Sequence, residues 1–390
     1  MKTNTRTAPD LLSVPDGIST LEEACREIAP GGRIRLHSGV YRIPKTIVLR
    51  KGIEICGEEA HPENVVLEGG TSSLFRLEKG KSRLVGLTLR NRGNKKGDGA
   101  ENAVLQISSR RAEVCFCVLE SRFGGGLSIT GPNSRPEIVS CMVQNCGTFG
   151  FRIENGARPR IFDSCASSCF GDGLEVLGAG TEPVVTRCRL EMSVHSGGIY
   201  VHDGAGGTFS DCFVSGNALV GLEIRGPESS PVFQRCRFSA SAEDPDENEI
   251  LVCRGASGTF IDCEAHCFEA RGKGTAPRVR NCRFFGGKEG GIFVHRGACG
   301  IFHDCTVSDS FCSAMEISGR GSSPTVQNCR FLNSREGAGI FLLNGAGGTF
   351  LQCEALGNAA GSVRFEGPRI SAHFRNCCFE DAFASGEADR

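Results

Sequence analysis

The chain has 390 residues, and its 44 basic and 45 acidic side chains leave the net charge close to zero. Such a chain lacks the basic face that binds nucleic-acid backbones, and no segment reaches the ~18 apolar residues of a membrane span. Apolar residues make up 39% of the chain, enough for a core, and the unusual counts are 53 glycines and 22 cysteines.

The first segment, residues 1–32, predicts a short capping helix. Thr20 with Glu23, or Ser19 with Glu22, forms a capping box at its start, and a Pro-Gly-Gly sequence ends it. The segment has no apolar signal sequence. Together with the many cysteines, which we expect to be reduced, this predicts a cytoplasmic protein.

Residues 33–380 contain a repeat that is clearest in its cysteines. Successive intervals are 23 or 24 residues, except for 27 followed by 19 on either side of Cys263. We call this series the cysteine ladder and expect it to pack in the core as small apolar side chains. Its members are Cys117, Cys141, Cys165, Cys188, Cys212, Cys236, Cys263, Cys282, Cys305, Cys329, Cys353 and Cys377.

Each repeat holds three very short segments in which apolar and polar residues alternate, such as Ile199–His202 and Ile292–His295. Three such strands in ~23 residues form one rung of a right-handed parallel β-helix, in which each rung pairs with the next. The sequence therefore predicts an all-β fold of roughly fourteen rungs over residues 33–380. Residues 381–390 are predicted to be a polar C-terminal tail.

Two stretches carry a family resemblance. The segment STLEEACREIAPGGRIRLHSGVYRIPKTIVLRKGIEICGEE resembles the opening of the carbohydrate-binding-and-sugar-hydrolase (CASH) class of β-helix repeats, which have the pectin-lyase-like fold. The segment SGGIYVHDGAGGTFSDCFVSGNALVGLEIRGPESSPVFQRC is similar to the β-helix of F-box-only proteins and their bacterial relatives. The resemblance implies a fold and leaves the activity open, because this fold hosts enzymes and binding proteins alike.

Enzymes of the resembled fold need clustered carboxylates, either as calcium ligands or as an acid/base pair. The Asn-Thr-Asp, Gly-His-Gly and Arg-Ile-Lys motifs of polygalacturonases are absent, and a chain without Trp cannot contain the Trp-Ile-Asp-His motif of pectate lyases. The acidic run at residues 243–249 is typical of a solvated loop more often than of a calcium site. The sequence thus favours a protein without catalysis, metal or other cofactor, and leaves an enzyme open.

Alternation also predicts which side chains point outward from one strand of each rung. In Ile199–His202 the outward residues are Tyr200 and His202, and later rungs follow the same register. Apolar and acidic residues alternate along the first outward position, which predicts an exposed apolar stripe rimmed by charges. The candidate binding residues are Tyr200, His202, Glu223, Arg225, Leu251, Glu269, Phe293, His295, Glu316 and Phe341.

An exposed apolar stripe is typical of an interaction surface, so the leading hypothesis is a non-catalytic scaffold that binds a protein or peptide. The alternative is a carbohydrate-active protein: a polysaccharide lyase, a glycoside hydrolase or a glycan binder. An enzyme should present at least two carboxylates within ~10 Å of each other, and a protein binder should leave the stripe uncovered.

Overall fold

The computed structural model describes residues 8–15, 18–58, 61–70, 73–93, 103–239 and 249–380. The predicted tail and most of the acidic run at residues 243–249 lie outside these ranges. The described chain divides into two compact units. The first ends at Val194 but excludes Leu177–Ala179, which belong with the residues from His195 onward to the second.

In the first unit the elements are β1 (Leu11–Val14), α1 (Leu21–Glu27), β2 (Arg33–Leu36), β3 (Gly39–Ile43), β4 (Ile47–Leu49), β5 (Glu54–Gly57), the 3₁₀ helix η1 (Pro62–Asn64), β6 (Val65–Gly69), β7 (Phe75–Leu77), β8 (Arg83–Val85), β9 (Thr88–Asn91), β10 (Leu105–Ile107), β11 (Glu113–Cys115), β12 (Val118–Ser121), β13 (Leu127–Thr130), β14 (Glu137–Val139), β15 (Met142–Gln144), β16 (Phe151–Glu154), β17 (Arg160–Phe162), β18 (Cys165–Ser167), β19 (Leu174–Leu177), β20 (Val184–Thr186) and β21 (Arg189–Glu191).

In the second unit the strands are β22 (Ile199–His202), β23 (Thr208–Ser210), β24 (Phe213–Ser215), β25 (Leu222–Arg225), β26 (Val232–Gln234), β27 (Arg237–Ser239), β28 (Ile250–Cys253), β29 (Thr259–Ile261), β30 (Glu264–Ala265), β31 (Phe268–Arg271), β32 (Arg278–Arg280), β33 (Arg283–Phe285), β34 (Ile292–His295), β35 (Ile301–His303), β36 (Thr306–Ser308), β37 (Met315–Ser318), β38 (Thr325–Gln327), β39 (Arg330–Leu332), β40 (Ile340–Leu343), β41 (Gly347–Leu351), β42 (Glu354–Leu356), β43 (Val363–Glu366), β44 (Ser371–Arg375) and β45 (Cys378–Phe379).

Strands β1 and β2 pair in one sheet, and from β2 onward every third strand joins the same sheet; all the pairs within each unit are parallel. In the second unit, sheet A begins with β23, β26 and β29, sheet B with β24, β27 and β30, and sheet C with β22, β25 and β28. One rung is therefore three strands, and about 14 rungs follow one another along the chain. The predicted right-handed parallel β-helix is confirmed.

The predicted N-terminal helix is α1. Thr20 is its N-cap, and its hydroxyl accepts a hydrogen bond from the Glu23 amide at 3.3 Å. Leu21 and Ala24 are buried on one face, as the pattern indicates. Strand β1 precedes the helix within residues 1–32 and pairs with β2. The predicted boundaries at 32 and 380 stay a prediction.

Stacked aromatic rings form much of the core of the second unit. Phe209, Phe233 and Phe260 follow one another on sheet A, with ring centroids 4.6 and 5.4 Å apart. Val279 takes the next position, and Phe302 follows it and meets Phe268 of sheet C edge-on, with a centroid distance of 5.8 Å. Equivalent inward positions of successive rungs thus stack directly, which removes apolar surface from water without long-range connections.

A corner with left-handed backbone joins sheet A to sheet B and orients the cysteine ladder. Asp211, Arg235 and Asp262 occupy it in consecutive rungs, with φ of 55°, 50° and 55°. Each amide there still donates to the next rung; for example, the Asp211 amide donates to the Gln234 carbonyl at 2.9 Å. The kink turns the following cysteine inward, so the ladder is a consequence of the corner.

Ten of the twelve predicted ladder cysteines are buried, and all 22 cysteines are free thiols. The assignment of Cys165 is wrong. Ser164 takes the inward position: its hydroxyl accepts from the Cys141 amide at 3.1 Å and donates to the Phe162 carbonyl at 2.8 Å. Cys165 instead pairs with Met142 in sheet B and is half-buried. Cys377, in the last described rung, is half-buried as well.

Candidate functional site

The outward face of sheet C in the second unit carries the residues predicted as a binding surface. Its strands place the following residues opposite one another in this order: Tyr200, Glu223, Leu251, Glu269, Phe293, Glu316, Phe341 and Arg364. The predicted register of this face is correct. The Cα atom of each glutamate in the row lies two strand spacings, about 9.6 Å, from that of the next glutamate.

The predicted exposure of the stripe is wrong at its centre. Leu251 is only 6% exposed, Glu269 4% and Cys253 2%. The Cys253 thiol lies 3.6 Å from Glu223 Oε1, so side chains of neighbouring strands cover one another here. Tyr200, Phe293 and Phe341 are half-buried. The face is therefore a partly closed, mixed polar and aromatic surface rather than an uncovered apolar stripe.

Polar partners hold the rings near both ends of the row. The Tyr200 and His202 rings stack with centroids 4.1 Å apart, and Arg225 Nη1 donates to the Tyr200 hydroxyl at 3.4 Å. At the other end, the guanidinium of Arg364 lies over the Phe341 ring, 5.0 Å from its centroid. Cation–π contact and stacking hold these side chains in place without burying them.

Glu269 is the most constrained carboxylate of the row. Its Oε1 lies 2.6 Å from His295 Nε2 on the next strand and 3.4 Å from Arg271 Nη1 on its own strand. A buried carboxylate is costly unless such donors surround it. The Arg271 guanidinium and the His295 imidazole supply these polar partners to Glu269.

Glu316 has the opposite surroundings. It is half-buried between Phe293 and Phe341 in register and makes no hydrogen bond to a described residue. Burial raises the pKa of its carboxyl above the ordinary 4.5, the nearby His295 opposes this effect and Glu289 adds to it. Glu316 therefore holds its proton to a higher pH than an exposed glutamate does.

Phe293 lies between these two carboxylates. It pairs with Glu269 on one side and with Glu316 on the other. A Cβ added to Gly290 would come within 2.8 Å of Phe293 Cζ, so the ring rests against the backbone of that turn. An aromatic ring is thus held between the buried carboxyl group of Glu269 and the Glu316 carboxyl, whose pKa is raised.

A short connection beside Glu269 brings in two residues that the sequence interpretation did not select. Between sheets B and C, most rungs of this unit have six residues, as in 286–291, whereas β30 and β31 are joined only by His266 and Cys267. Glu249 is 2% exposed and contacts this turn twice. Its carboxylate accepts from the His266 amide at 2.5 Å and bonds His266 Nδ1 at 2.6 Å.

A signal for this arrangement was present in the sequence. The 27- and 19-residue intervals on either side of Cys263 mark the long connection before Glu249 and the short one at His266. The residue just before each sheet C strand is usually small, as with Gly221, Gly291 and Ala314, and Glu249 departs from that rule. These two irregularities together indicate the place where the repeat was altered.

A cleft in the first unit is lined by charged side chains that form ion pairs with one another. It encloses about 420 Å³ on sheet A, and its charged lining is Glu54, Lys81, Arg83 and Glu113. Lys81 Nζ lies 2.9 Å from Glu113, and Arg83 bridges Glu113 and Glu54 at 3.3 and 3.2 Å. Because these four charged side chains neutralise one another, we do not propose this cleft as a catalytic site.

Within the described ranges, no set of three or more His, Cys, Asp or Glu side chains is arranged to hold a metal ion. No helix in the same residues has the length and apolar character to cross a membrane.

Comparison with known families identifies the fold. The profile described as right handed beta helix region matches residues 86–238, 182–321 and 266–387, which together span most of the chain. The chain belongs to the right-handed β-helix family. Among curated proteins, none matches this sequence.

Solved structures share the fold at low sequence identity. The catalytic domain of a GH87 α-1,3-glucanase in complex with nigerose is 12% identical, with a TM-score of 0.56 over 93% of this chain and 67% of that one. An aspartate-to-alanine variant of this type of domain with nigerose has a TM-score of 0.57, and another with tetrasaccharides has 0.51, each at 12% identity and the same coverage. At this identity the likeness shows the fold alone.

The leading sequence hypothesis, a non-catalytic scaffold for a protein or peptide, is corrected by these findings. The structures that share the fold of this chain include catalytic domains in complex with nigerose. The covered centre of the stripe agrees with this correction, because a protein-binding surface was expected to be open.

Proposed function

We propose that the protein is a carbohydrate-active enzyme that hydrolyses a glycosidic bond on the outward face of sheet C in its second unit. The observation that carries this proposal is the pair Glu269 and Glu316 on either side of Phe293. Two carboxyl groups in contrasting surroundings are the usual machinery of glycoside hydrolysis.

The surroundings assign the two roles. Glu316, whose pKa burial raises, is the general acid, because it keeps a proton to donate to the glycosidic oxygen. Glu269, held by His295 and Arg271, is the general base that takes a proton from water. His295 is a positioning residue that holds the Glu269 carboxylate in place.

The spacing favours a direct displacement by water. The Cα atoms of residues two strands apart are about 9.6 Å from each other, which is close to the ~6.5–9.5 Å between the carboxyl groups of inverting enzymes, where water fits between base and sugar. As the bond from the anomeric carbon to the leaving oxygen breaks, Glu316 protonates that oxygen. The water oxygen bonds to the anomeric carbon while Glu269 accepts its proton.

Phe293 supplies the apolar surface for the sugar. The C–H face of a pyranose packs against an aromatic ring. Because the Phe293 ring lies between the acid and the base, a sugar on it has its glycosidic bond placed between the two carboxyl groups. The rings of Tyr200 and Phe341 lie farther along the same face and extend the contact to neighbouring sugars. The fold shared with saccharide-bound catalytic domains supports this proposal.

The test is hydrolysis of a polysaccharide panel that includes α-1,3-glucan, β-glucans, xylan and polyuronates. We expect reducing ends to appear with at least one of them, and E269Q and E316Q to lower kcat about 10²- to 10⁴-fold. The matched control is E354Q, which changes a glutamate that lies on sheet B and pairs with Arg330. Its activity should equal that of the wild type.

Two results would contradict the proposal. Binding of a glycan without cleavage would make the protein a glycan binder. Cleavage that survives both E269Q and E316Q would place the chemistry elsewhere on the chain. Thermal unfolding of every variant separates loss of activity from loss of fold.

A further inference from the structure

Glu249 and His266 form a second acid/base pair beside the Glu269–Glu316 site. Glu249 is 2% exposed, and both of its oxygens are used on His266, one by the amide and the other by Nδ1. The His266 side chain is 35% exposed, and its Nε2 has no hydrogen-bond partner among the described residues. One ring nitrogen is thus anchored, and the other is available to a ligand.

This arrangement costs free energy that a structural role does not require. A buried carboxylate is stabilised only by its partners, and most other rungs of the second unit close this corner with Gly, Ala or Ser. A buried carboxylate that bonds Nδ1 of an imidazole whose Nε2 is open is the orientation used for proton transfer. The pKa of His266 is raised by its hydrogen bond to Glu249, which strengthens the imidazole as a base.

The position places His266 within reach of the same ligand. His266 lies three residues before Glu269, so their Cα atoms are at most ~10 Å apart even along an extended chain. Cys267, between them, is no competitor as a nucleophile, because burial raises the pKa of its thiol well above the ordinary 9.0. The Phe285 ring, 45% exposed, lies 5.0 Å from the imidazole and offers a surface for a sugar.

We infer that His266, positioned by Glu249, is a further proton-transfer residue that acts on a saccharide hydroxyl or on water at this corner. This inference rests on the proposed function and adds a group to its site. Neutral Nε2 takes a proton from the hydroxyl or the water while that oxygen takes from Glu269 the proton of the attacking water. Glu249 stabilises the imidazolium, which releases its proton to bulk water, and the leaving oxygen is protonated by Glu316 alone. The imidazole ends as it began, so no other reactant is consumed.

The test compares H266Q and E249Q with the control H303Q. The His303 side chain is 37% exposed, and its Nδ1 lies 2.6 Å from Asp304 Oδ2 on sheet A, away from the sheet B–C corner. On a cleaved polysaccharide, we expect H266Q to lower kcat about 10²-fold and E249Q to shift the acid limb of the pH–rate profile to lower pH. H303Q should leave both quantities unchanged.

A second measurement decides the inference when no polysaccharide is cleaved. Modification of histidines by diethylpyrocarbonate, read by peptide mass spectrometry, follows the neutral imidazole at each pH. We expect the midpoint for His266 to lie above 6.5 and to fall in E249Q, and nigerose, cello-oligosaccharides or xylo-oligosaccharides to protect His266 but not His303. An unprotected His266, or kinetics unchanged in H266Q while E269Q is inactive, would overturn this inference and leave the proposed function standing.

Discussion

The corner between sheets A and B, which orients the cysteine ladder, and the outward face of sheet C both recur once in every rung. They differ in the side chains that occupy them. At the corner, successive rungs carry the same small side chain and make the same contacts: the thiols of Cys305, Cys329 and Cys353 each donate to the carbonyl two residues earlier, at 3.3–3.4 Å. On the outward face of sheet C, neighbouring rungs carry different chemistry. The regular region holds the fold, and the irregular one is the face on which we propose that a saccharide binds.

The largest difference in stability should follow from truncating one aromatic side chain of the core and one of the outward face. F302A should lower the free energy of unfolding by about 3–5 kcal/mol, because Phe302 is fully buried and its removal leaves a cavity in the stack. F293A should lower it by about 1 kcal/mol or less, since that ring is half-buried on the outer face. Denaturant unfolding of both variants measures the difference, and equal losses would show that the outer face is part of the core.

The corner itself can be tested with a substitution that the chain already contains. Cys329 accepts from the Cys305 amide at 3.4 Å and donates to the Gln327 carbonyl at 3.3 Å, and Ser164 makes the equivalent two bonds in the first unit. C329S should therefore cost less than C329A, for which we expect a loss of about 1–2 kcal/mol.

Denaturant midpoints of the two Cys329 variants give the comparison. If C329A were as stable as C329S, the thiols would serve only as apolar filling and the corner bonds would contribute nothing.

The smallest expected effect concerns Glu316. Its folded-state pKa is raised, so its contribution to stability is fully present below about 4.3, the value of an unfolded glutamate, and is lost as the pH rises through the raised value. E316Q removes this loss, so its Tm at pH 7 should equal or slightly exceed that of the wild type. At pH 4 the two proteins should differ less. A Tm at pH 7 well below the wild type would show that Glu316 stabilises the fold.

Much of the fold could be predicted from the sequence because its information is local. Alternation in Ile199–His202 sets which side chains point inward, and a one-residue slip would put Ile199 and Val201 in water. The same argument gave the correct order of residues along sheet C. It could not separate Ser164 from Cys165, since both fit an interval of 23 or 24 residues and only the left-handed corner decides between them.

The site was less predictable because it depends on distant contacts. Leu251 and Cys253 alternate as outward residues do, yet neighbouring side chains bury them. Glu249 and His266 are 17 residues apart, and they meet only because the connection after β30 is two residues long. The roles proposed for Glu269 and Glu316 depend on the residues around each carboxyl group, and the spacing of the repeat does not specify those residues.

The measurement that tests the acid and base assignment most directly compares two substrates of different leaving-group acidity. On the polysaccharide, E269Q and E316Q should both be at least about 10²-fold slower than the wild type. On a 2,4-dinitrophenyl glycoside of the same sugar, whose leaving group departs without protonation, E316Q should approach the wild-type rate while E269Q stays slow. If E316Q were equally slow on both substrates, or E269Q as fast as the wild type, the account of this face would be contradicted.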